Sequence, residues 1–415
     1  MAKIALISIR YGEEINGGAE YHCRMLAERL APTHEVHVLT TTLVDIYDRS
    51  KDFPSGNSLL NQVHIHRFPA ITIDAAKQKA SSKASKLARK IRRAFYRTGL
   101  TSVFKTFPVW SYKVAEEIEL LKNHSYYSEG LINYIQEHQA DYDAFIFFTY
   151  ENPLTVLGAL SVPEKSILVP TAHMEGMLFR SINSQMFSQV KHIAFNTETE
   201  YEMCKPLFQQ AMAPHSIVGV GVEIAAPEDW STVLAQYPIQ EPYLLYSGRI
   251  TAVKTNQLFD YFIQFKEETG SPLQLVLTGD VQMAKVAHPD IHYLGYVSEA
   301  VKIALMQHSF AIVNSSKAES LSLLALEAMC LGQPVLANRQ AAVMLEHERK
   351  SKGAVQCYGD YASFKQLILS LQQHPEKRAL IAEHGKAYVQ EYYNWERIIS
   401  KFETIIKSDY IGQYN

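Results

Sequence analysis

Between Phe310 and Ala337 the sequence changes its period twice, and that change limits what the chain can fold into. Phe310-Ala-Ile-Val-Asn-Ser is a short apolar run of strand type, Ser322 to Leu331 has the composition of a helix, and Val335-Leu-Ala is again a strand. Gly332 is placed to end the helix in the left-handed conformation, with Pro334 just beyond it. Strand, loop, helix and strand in that order form a βαβ unit, which requires a parallel sheet and sets the helix N-terminus at the sheet's carboxyl edge. The fold class is therefore α/β, and that edge is where such folds bind ligands.

Two carboxylates stand in this segment, eight positions apart. Glu319 lies in the loop, level with the amides that open the helix, and Glu327 lies on the helix about a turn and a half in from Ser322. The amides of Ser320, Leu321, Ser322 and Leu323 have no partner within the helix, so together with the helix dipole they suit a diphosphate. The carboxylates are then left to accept hydrogen bonds from hydroxyls, which sugars supply in number. A plainer reading has Glu319 favouring the helix N-terminus and Glu327 in solvent. Against it, Glu327 sits in the apolar and small run Leu323-Leu-Ala-Leu-Glu-Ala-Met-Cys, where an ionised side chain needs a partner.

Glu319 to Glu327, followed by Ala-Met-Cys-Leu-Gly-Gln-Pro-Val, resembles the signature of the family-4 retaining glycosyltransferases (glycosyl transferase group 1). The resemblance extends along the chain. Lys3-Ile-Ala-Leu-Ile-Ser would be a strand, Asn16-Gly17-Gly18-Ala-Glu20 a glycine loop, Tyr21 to Leu30 a helix, and His34-Glu-Val-His-Val-Leu-Thr the next strand. Tyr246-Ser-Gly-Arg249 and Lys254 match the family's phosphate-binding Arg and Lys, and Tyr293-Leu-Gly-Tyr-Val297 matches the segment that binds the base.

The resemblance implies a GT-B fold of two facing Rossmann-like domains with a cleft between them. Residues 1–225 would form an acceptor-binding domain, joined by a C-terminal helix at about 393–415 after a bend near Asn394. Residues 226–392 would form the nucleotide-sugar donor domain. It also implies a retaining reaction without a metal or other cofactor. Glu319 and His173 would serve the sugar and Glu327 the ribose, while the backbone near Val297 takes the base. His173, in Val169-Pro-Thr-Ala-His-Met-Glu175, stands where many members have His-Asp or His-Asp-Glu; the missing Asp leaves Glu175 as the only nearby acid of that motif. Ser322 replaces a frequent glycine, and its side chain would narrow the sugar pocket.

The pieces make chemical sense without the resemblance. A strand ending at Arg249, a short loop and a helix with Leu258, Phe262 and Phe265 on one face would bring Arg249 and Lys254 to the rim of the 319 loop. Two fixed cations there suit a leaving nucleotide diphosphate, on which negative charge grows as the glycosidic bond breaks. Gly17 and Gly18 would let a ligand approach the backbone closely. Gly219-Val-Gly-Val opens like a dinucleotide fingerprint, but Ile224 stands where its third glycine belongs, so a nicotinamide site is rejected.

A chain of 415 residues with 47% apolar content can fill two cores. No apolar stretch is long enough to span a bilayer, and the N-terminus carries no cleavage site, so a cytoplasmic location is expected. Cys23, Cys204, Cys330 and Cys357 are scattered without a CxxC, which argues against a disulfide framework and a zinc site.

One segment breaks the pattern of the slightly acidic chain. From Lys77 to Lys105 there are ten Lys or Arg and no acid, with Leu87, Ile91 and Phe95 recurring every four residues. A basic amphipathic helix follows, and no nucleic-acid motif accompanies it. It would lie on an anionic membrane, grip a phosphorylated acceptor, or pack on its own domain through the apolar stripe. The expected function is transfer of a sugar from a UDP- or GDP-sugar to a glycan or lipid-linked acceptor, in bacterial envelope polysaccharide or lipopolysaccharide synthesis, at the inner face of the cytoplasmic membrane. A nucleotide-sugar epimerase of the same fold and a non-catalytic membrane-associated scaffold remain as alternatives.

Overall fold

A computed structural model describes residues 1–15, 17–45 and 48–409. It divides into two compact units, one of Met1–Gly219 with Ile398 onward and one of Val220–Arg397. Asn16 of the glycine loop and the last residues of the expected terminal helix lie outside the described residues.

The first unit is built on an eight-stranded sheet. Its strands are β1 (Lys3–Ile7), β2 (Glu35–Thr41), β3 (Gly56–Leu60), β4 (Val63–Phe68), β5 (Ala144–Phe148), β6 (Ser166–Val169), β7 (His192–Phe195) and β8 (His215–Ile217). They lie in the order β3-β4-β2-β1-β5-β6-β7-β8, parallel except for the β3–β4 pair. Near-continuous apolar runs such as Ala144-Phe-Ile-Phe-Phe are what a parallel sheet covered on both faces demands, and all five of these residues are buried. The strand order reverses between β1 and β5, which makes the loops after those strands the natural ligand edge.

The second unit carries six strands, all parallel: β9 (Tyr243–Ser247), β10 (Gln274–Thr278), β11 (Ile291–Gly295), β12 (Ala311–Asn314), β13 (Val335–Asn338) and β14 (Val355–Tyr358). Their order is β11-β10-β9-β12-β13-β14, so the reversal falls between β9 and β12. The helix Leu258–Thr269 buries Leu258, Phe259, Phe262 and Phe265, the face its spacing foretells.

The second unit's limits fall outside residues 226–392. Val220 is buried in its core, and Gly221 lies so close beneath the Trp395 indole that a Cβ there would collide with the ring. The Val222 amide donates to the Tyr393 carbonyl at 2.9 Å. The helix Trp395–Lys407 then runs into the first unit, where Lys401 Nζ donates to the Ile217 and Val218 carbonyls and buried Lys191 donates to Ile406 O at 2.9 Å. Asn394 interrupts the path from the helix Pro375–Tyr392, its Oδ1 accepting from the amides of Glu396 and Arg397.

The basic run forms the helix Ala75–Arg97, but its inward face differs from the expected one. Ser85, Ala88 and Arg92 are buried, whereas Leu87 is 50% exposed. The reason lies beneath it, where the Phe179 and Arg180 carbonyls have a single donor among the described residues, Arg92 Nη1, at 3.4 and 2.8 Å. The guanidinium also lies 5.6 Å from the Phe104 and Trp110 ring centres. Burial lowers its pKa only to about 10, so it stays charged. Phe95 of the stripe meets Trp110, ring centre to ring centre at 6.1 Å.

Candidate functional site

At the carboxyl end of β9 the chain turns through Gly248, at φ +143°, into Arg249. The strand stops at Ser247, two residues earlier than expected, and Arg249 belongs to the loop, its carbonyl accepting from the Tyr246 hydroxyl at 2.9 Å. Lys254 lies in the short helix Ala252–Thr255, capped by Thr251 Oγ1. Ser315 Oγ, just past β12, donates to the Lys254 carbonyl at 2.9 Å, so the loops after β9 and β12 are tied together at the switch point.

Across that tie Lys254 Nζ donates to Glu319 Oε1 at 2.6 Å. The arginine, the lysine and the first glutamate of the motif thus share one rim, with Arg249 exposed. Next along, the helix Leu323–Leu331 begins one residue later than the composition suggests. Ser322 is its cap, at φ +67° and ψ 85°, with its hydroxyl oxygen accepting from the Ala325 amide and from Asn314 Nδ2. Left-handed backbone is uncommon for a residue with a Cβ, and the two hydrogen bonds hold it there. The amides of Leu321, Ser322 and Leu323 donate to nothing among the described residues. Gly332, at φ +78°, closes the helix as expected.

Glu327 is 7% exposed and its Oε2 accepts from Lys302 Nζ at 2.9 Å. Lys302, on the helix Glu299–His308, also meets Glu299 Oε1 at 2.7 Å. Burial pushes the Glu327 pKa up while Lys302 opposes the shift. Burial works against the Lys302 charge too, but the two carboxylates outweigh it and its pKa rises. The ion pair supplies the partner that the apolar surroundings of Glu327 require.

Two supporting residues have no signature in the sequence. Lys302 is an ordinary helix lysine until β12 and its helix bring it to Glu327. His347 is fully buried, with Nε2 2.8 Å from the Leu321 carbonyl and Nδ1 2.9 Å from the Tyr388 hydroxyl. Burial lowers its pKa, so Nε2 carries the proton given to Leu321 and Nδ1 accepts from Tyr388. It thereby fixes the loop that presents the open amides.

Val297 follows β11 and is largely buried. The remaining sequence candidates lie in the first unit. Gly17 caps the helix Gly18–Leu30 with ordinary extended backbone, and the space a Cβ would need is filled by the Glu20 carboxylate, which Arg10 holds at 2.8 Å. A Cβ on Gly18 would meet nothing within 4 Å. His173 stands four residues past β6, 40% exposed, with Nε2 3.7 Å from Glu175 Oε2.

Residues 241–374 match the family model described as glycosyl transferases group 1. This segment is a group 1 glycosyltransferase domain. The chain is 29% identical over 139 residues, a third of its length, to "Glycosyltransferase 1 domain-containing protein 1" of Xenopus tropicalis, and the match spans about two-fifths (39%) of that relative. Solved structures similar to this chain include sucrose-phosphate synthase from Thermosynechococcus elongatus (TM-score 0.65, 16% identity, 98% of each chain). Trehalose-6-phosphate synthase OtsA follows the same fold (TM-score 0.69, 8% identity, 98% of this chain and 99% of the other). So does Anabaena HepE, solved with UDP-glucose (TM-score 0.64, 13% identity, 97% and 99%). The likeness shows the fold, two Rossmann-like domains on parallel sheets of the GT-B kind. The glycosyltransferase domain holds the whole Arg249, Lys254, Glu319, Glu327 constellation.

Proposed function

We propose that the chain is a retaining, metal-independent hexosyltransferase that takes its sugar from a UDP- or GDP-sugar. The observation that carries this reading is the Lys254–Glu319 pair beside the open amides of Leu321 to Leu323. A nucleotide diphosphate arriving there takes Lys254, Arg249 and the amides as its donors. Glu319, released from its lysine, becomes an acceptor for sugar hydroxyls. Lys302 keeps one oxygen of Glu327 occupied, which leaves the other for the ribose hydroxyls. As the glycosidic bond lengthens, charge grows on the diphosphate where the cations already stand, and preorganised charge of this kind is the largest single contribution in many enzymes. The acceptor attacks from the face the nucleotide leaves, the departing phosphate takes its proton, and Glu319 forms no covalent bond. His173 serves the sugar in this scheme on the strength of the family resemblance.

The acceptor is a glycan or a lipid-linked saccharide of the cell envelope, met at an anionic membrane surface. Lys79, Lys83, Lys86, Lys90, Arg93 and Arg97 are all exposed and make no ion pair among the described residues, and Leu87, Leu100 and Phe107 are exposed beside them. Each such cation near anionic lipid contributes about 1 kcal/mol. No helix among the described residues is long and apolar enough to cross a membrane.

A thermal-shift panel of UDP-, GDP- and ADP-sugars tests the donor, since a ligand at 100 times its dissociation constant adds about 2.7 kcal/mol. The neighbour solved with UDP-glucose puts UDP-sugars first. Stabilisation by a nucleotide sugar, with turnover that persists in excess EDTA, is expected. Turnover lost on chelation and restored by magnesium or manganese overturns the metal-independent mechanism.

A further inference from the structure

The first unit has a cation that the nucleotide reading does not use. Arg180 sits between the turn Gly176–Phe179 and the helix Ser181–Gln189 and is 8% exposed. Its guanidinium makes no hydrogen bond and no ion pair among the described residues. None of its nitrogens is fully sealed, so its small exposed surface includes its donors. The charges of Glu117 and Glu151 offset part of its desolvation, yet no carboxylate oxygen among the described residues pairs with its donors.

The acids around it act on its charge from a distance and make their hydrogen bonds elsewhere, although Glu117 Oε1 has none. Glu117 accepts from the Ile182 amide at 2.9 Å and from the Ser181 amide. Glu151 is hydrogen-bonded to Glu175, whose Oε1 takes the Tyr150 hydroxyl at 2.7 Å. Burial and the contact with Glu175 push the Glu151 pKa up to about 7, so near neutral pH its carboxyl is only partly ionised. Arg92 gives Nη1 to two carbonyls, and its Nε and Nη2 are sealed from the surface. Arg89, by contrast, lies along Gly176 with the Met177 sulfur, at 3.3 Å, as its one hydrogen-bond partner among the described residues, and its charge is felt at Arg180. His124 also lies within range of the Arg180 charge. The place is the carboxyl edge of β5 and β6, one strand over from the reversal between β1 and β5, and there Thr149 and Thr171 both hold left-handed backbone (φ +66° and +50°).

We propose that Arg180 and Arg89 form an anion site for a phosphoryl group carried by the acceptor. Two guanidinium groups match a dianion with three oxygens, and the planar fork binds two of those oxygens at once. The site rests on the first unit alone; its assignment to an acceptor rests on the glycosyltransferase reading.

Calorimetry with inorganic phosphate, on the full chain saturated with UDP at neutral pH and low salt, tests the site. One phosphate should bind, with acetate much weaker, and affinity should fall on the order of tenfold or more in Arg180→Gln and Arg89→Gln. Should Arg180→Gln fail to fold by circular dichroism, Arg89→Gln, on the half-exposed face of its helix, carries the test. No phosphate bound by the wild type, or equal affinity in the variants, overturns the site. Glucose 6-phosphate and vesicles of phosphatidic acid are then titrated against bound phosphate; whichever displaces it names a soluble or a lipid source. If neither does, the assignment to an acceptor is overturned. Phosphate binding at Arg180 in a protein that never turns over any nucleotide sugar would leave the anion site standing and refute the transferase reading instead.

Discussion

The carboxyl edges of the two sheets handle charge in opposite ways. In the second unit the lysines of the ligand loops already have partners, Lys254 with Glu319 and Lys302 with Glu327 and Glu299. In the first, Arg180 is nearly buried without one, and the acids near it are bonded to amides or to each other. A ligand entering the second edge must exchange partners, whereas one entering the first meets guanidinium donors that no side chain occupies. The cost of an empty site therefore differs: it is small where the pairs close on themselves and larger where a guanidinium waits.

The strongest test of the exchange is Glu319→Gln. Transfer should fall by on the order of a thousandfold, the scale for removing a preorganised group, while UDP binds as tightly as before or more tightly because Lys254 loses its competitor. Weaker UDP binding in calorimetry would break the exchange. Arg249→Ala and Lys254→Ala should each cost about 2 to 4 kcal/mol in kcat/KM, with the nucleotide weakened as well. Equal kcat/KM in wild type and variants would remove the cations from the mechanism.

His347→Ala sharpens the comparison from beneath. It strands the Leu321 carbonyl and leaves the Tyr388 hydroxyl only Tyr393, so the second unit should lose about 2 kcal/mol in denaturant unfolding while phosphate binding by the first is unchanged. Destabilisation of both units together would speak against their independence. The smallest effect belongs to Glu151. Burial, reinforced by Glu175, pushes its pKa up from 4.5 to about 7. Between those values the folded state binds the extra proton, so wild-type stability falls as pH rises through that window. Glu151→Gln should flatten that slope in thermal melts at a series of pH values; an unchanged slope would place the titration elsewhere.

Much of this was legible in the sequence, where period and composition speak locally. The strand at Phe310, the helix stop at Gly332 and the buried face through Leu258, Phe262 and Phe265 each rest on residues a few positions apart. The partners were not legible, because they come from other elements. Nothing near Glu327 points to Lys302, and nothing near Leu321 points to His347. The basic helix shows the limit most plainly. Its aliphatic stripe suggested an apolar inward face, but the carbonyls of Phe179 and Arg180, some 87 residues away, draw in Arg92 instead. Gly17 misled for a local reason instead, since it makes room for the chain's own Glu20 three residues on.

The path of the helix Trp395–Lys407 has a consequence for the order in which the protein is made. Domains nearer the N-terminus generally close first as a chain leaves the ribosome. Here the segment made first cannot finish first. Lys191 is buried against the Ile406 carbonyl, and the Ile217 and Val218 carbonyls receive Lys401. Until that helix emerges, the amine lacks its acceptor and the carbonyls their donor, while Val220–Arg397 already has all of its own strands. The nascent chain therefore carries an unfinished first unit through the whole synthesis of the second.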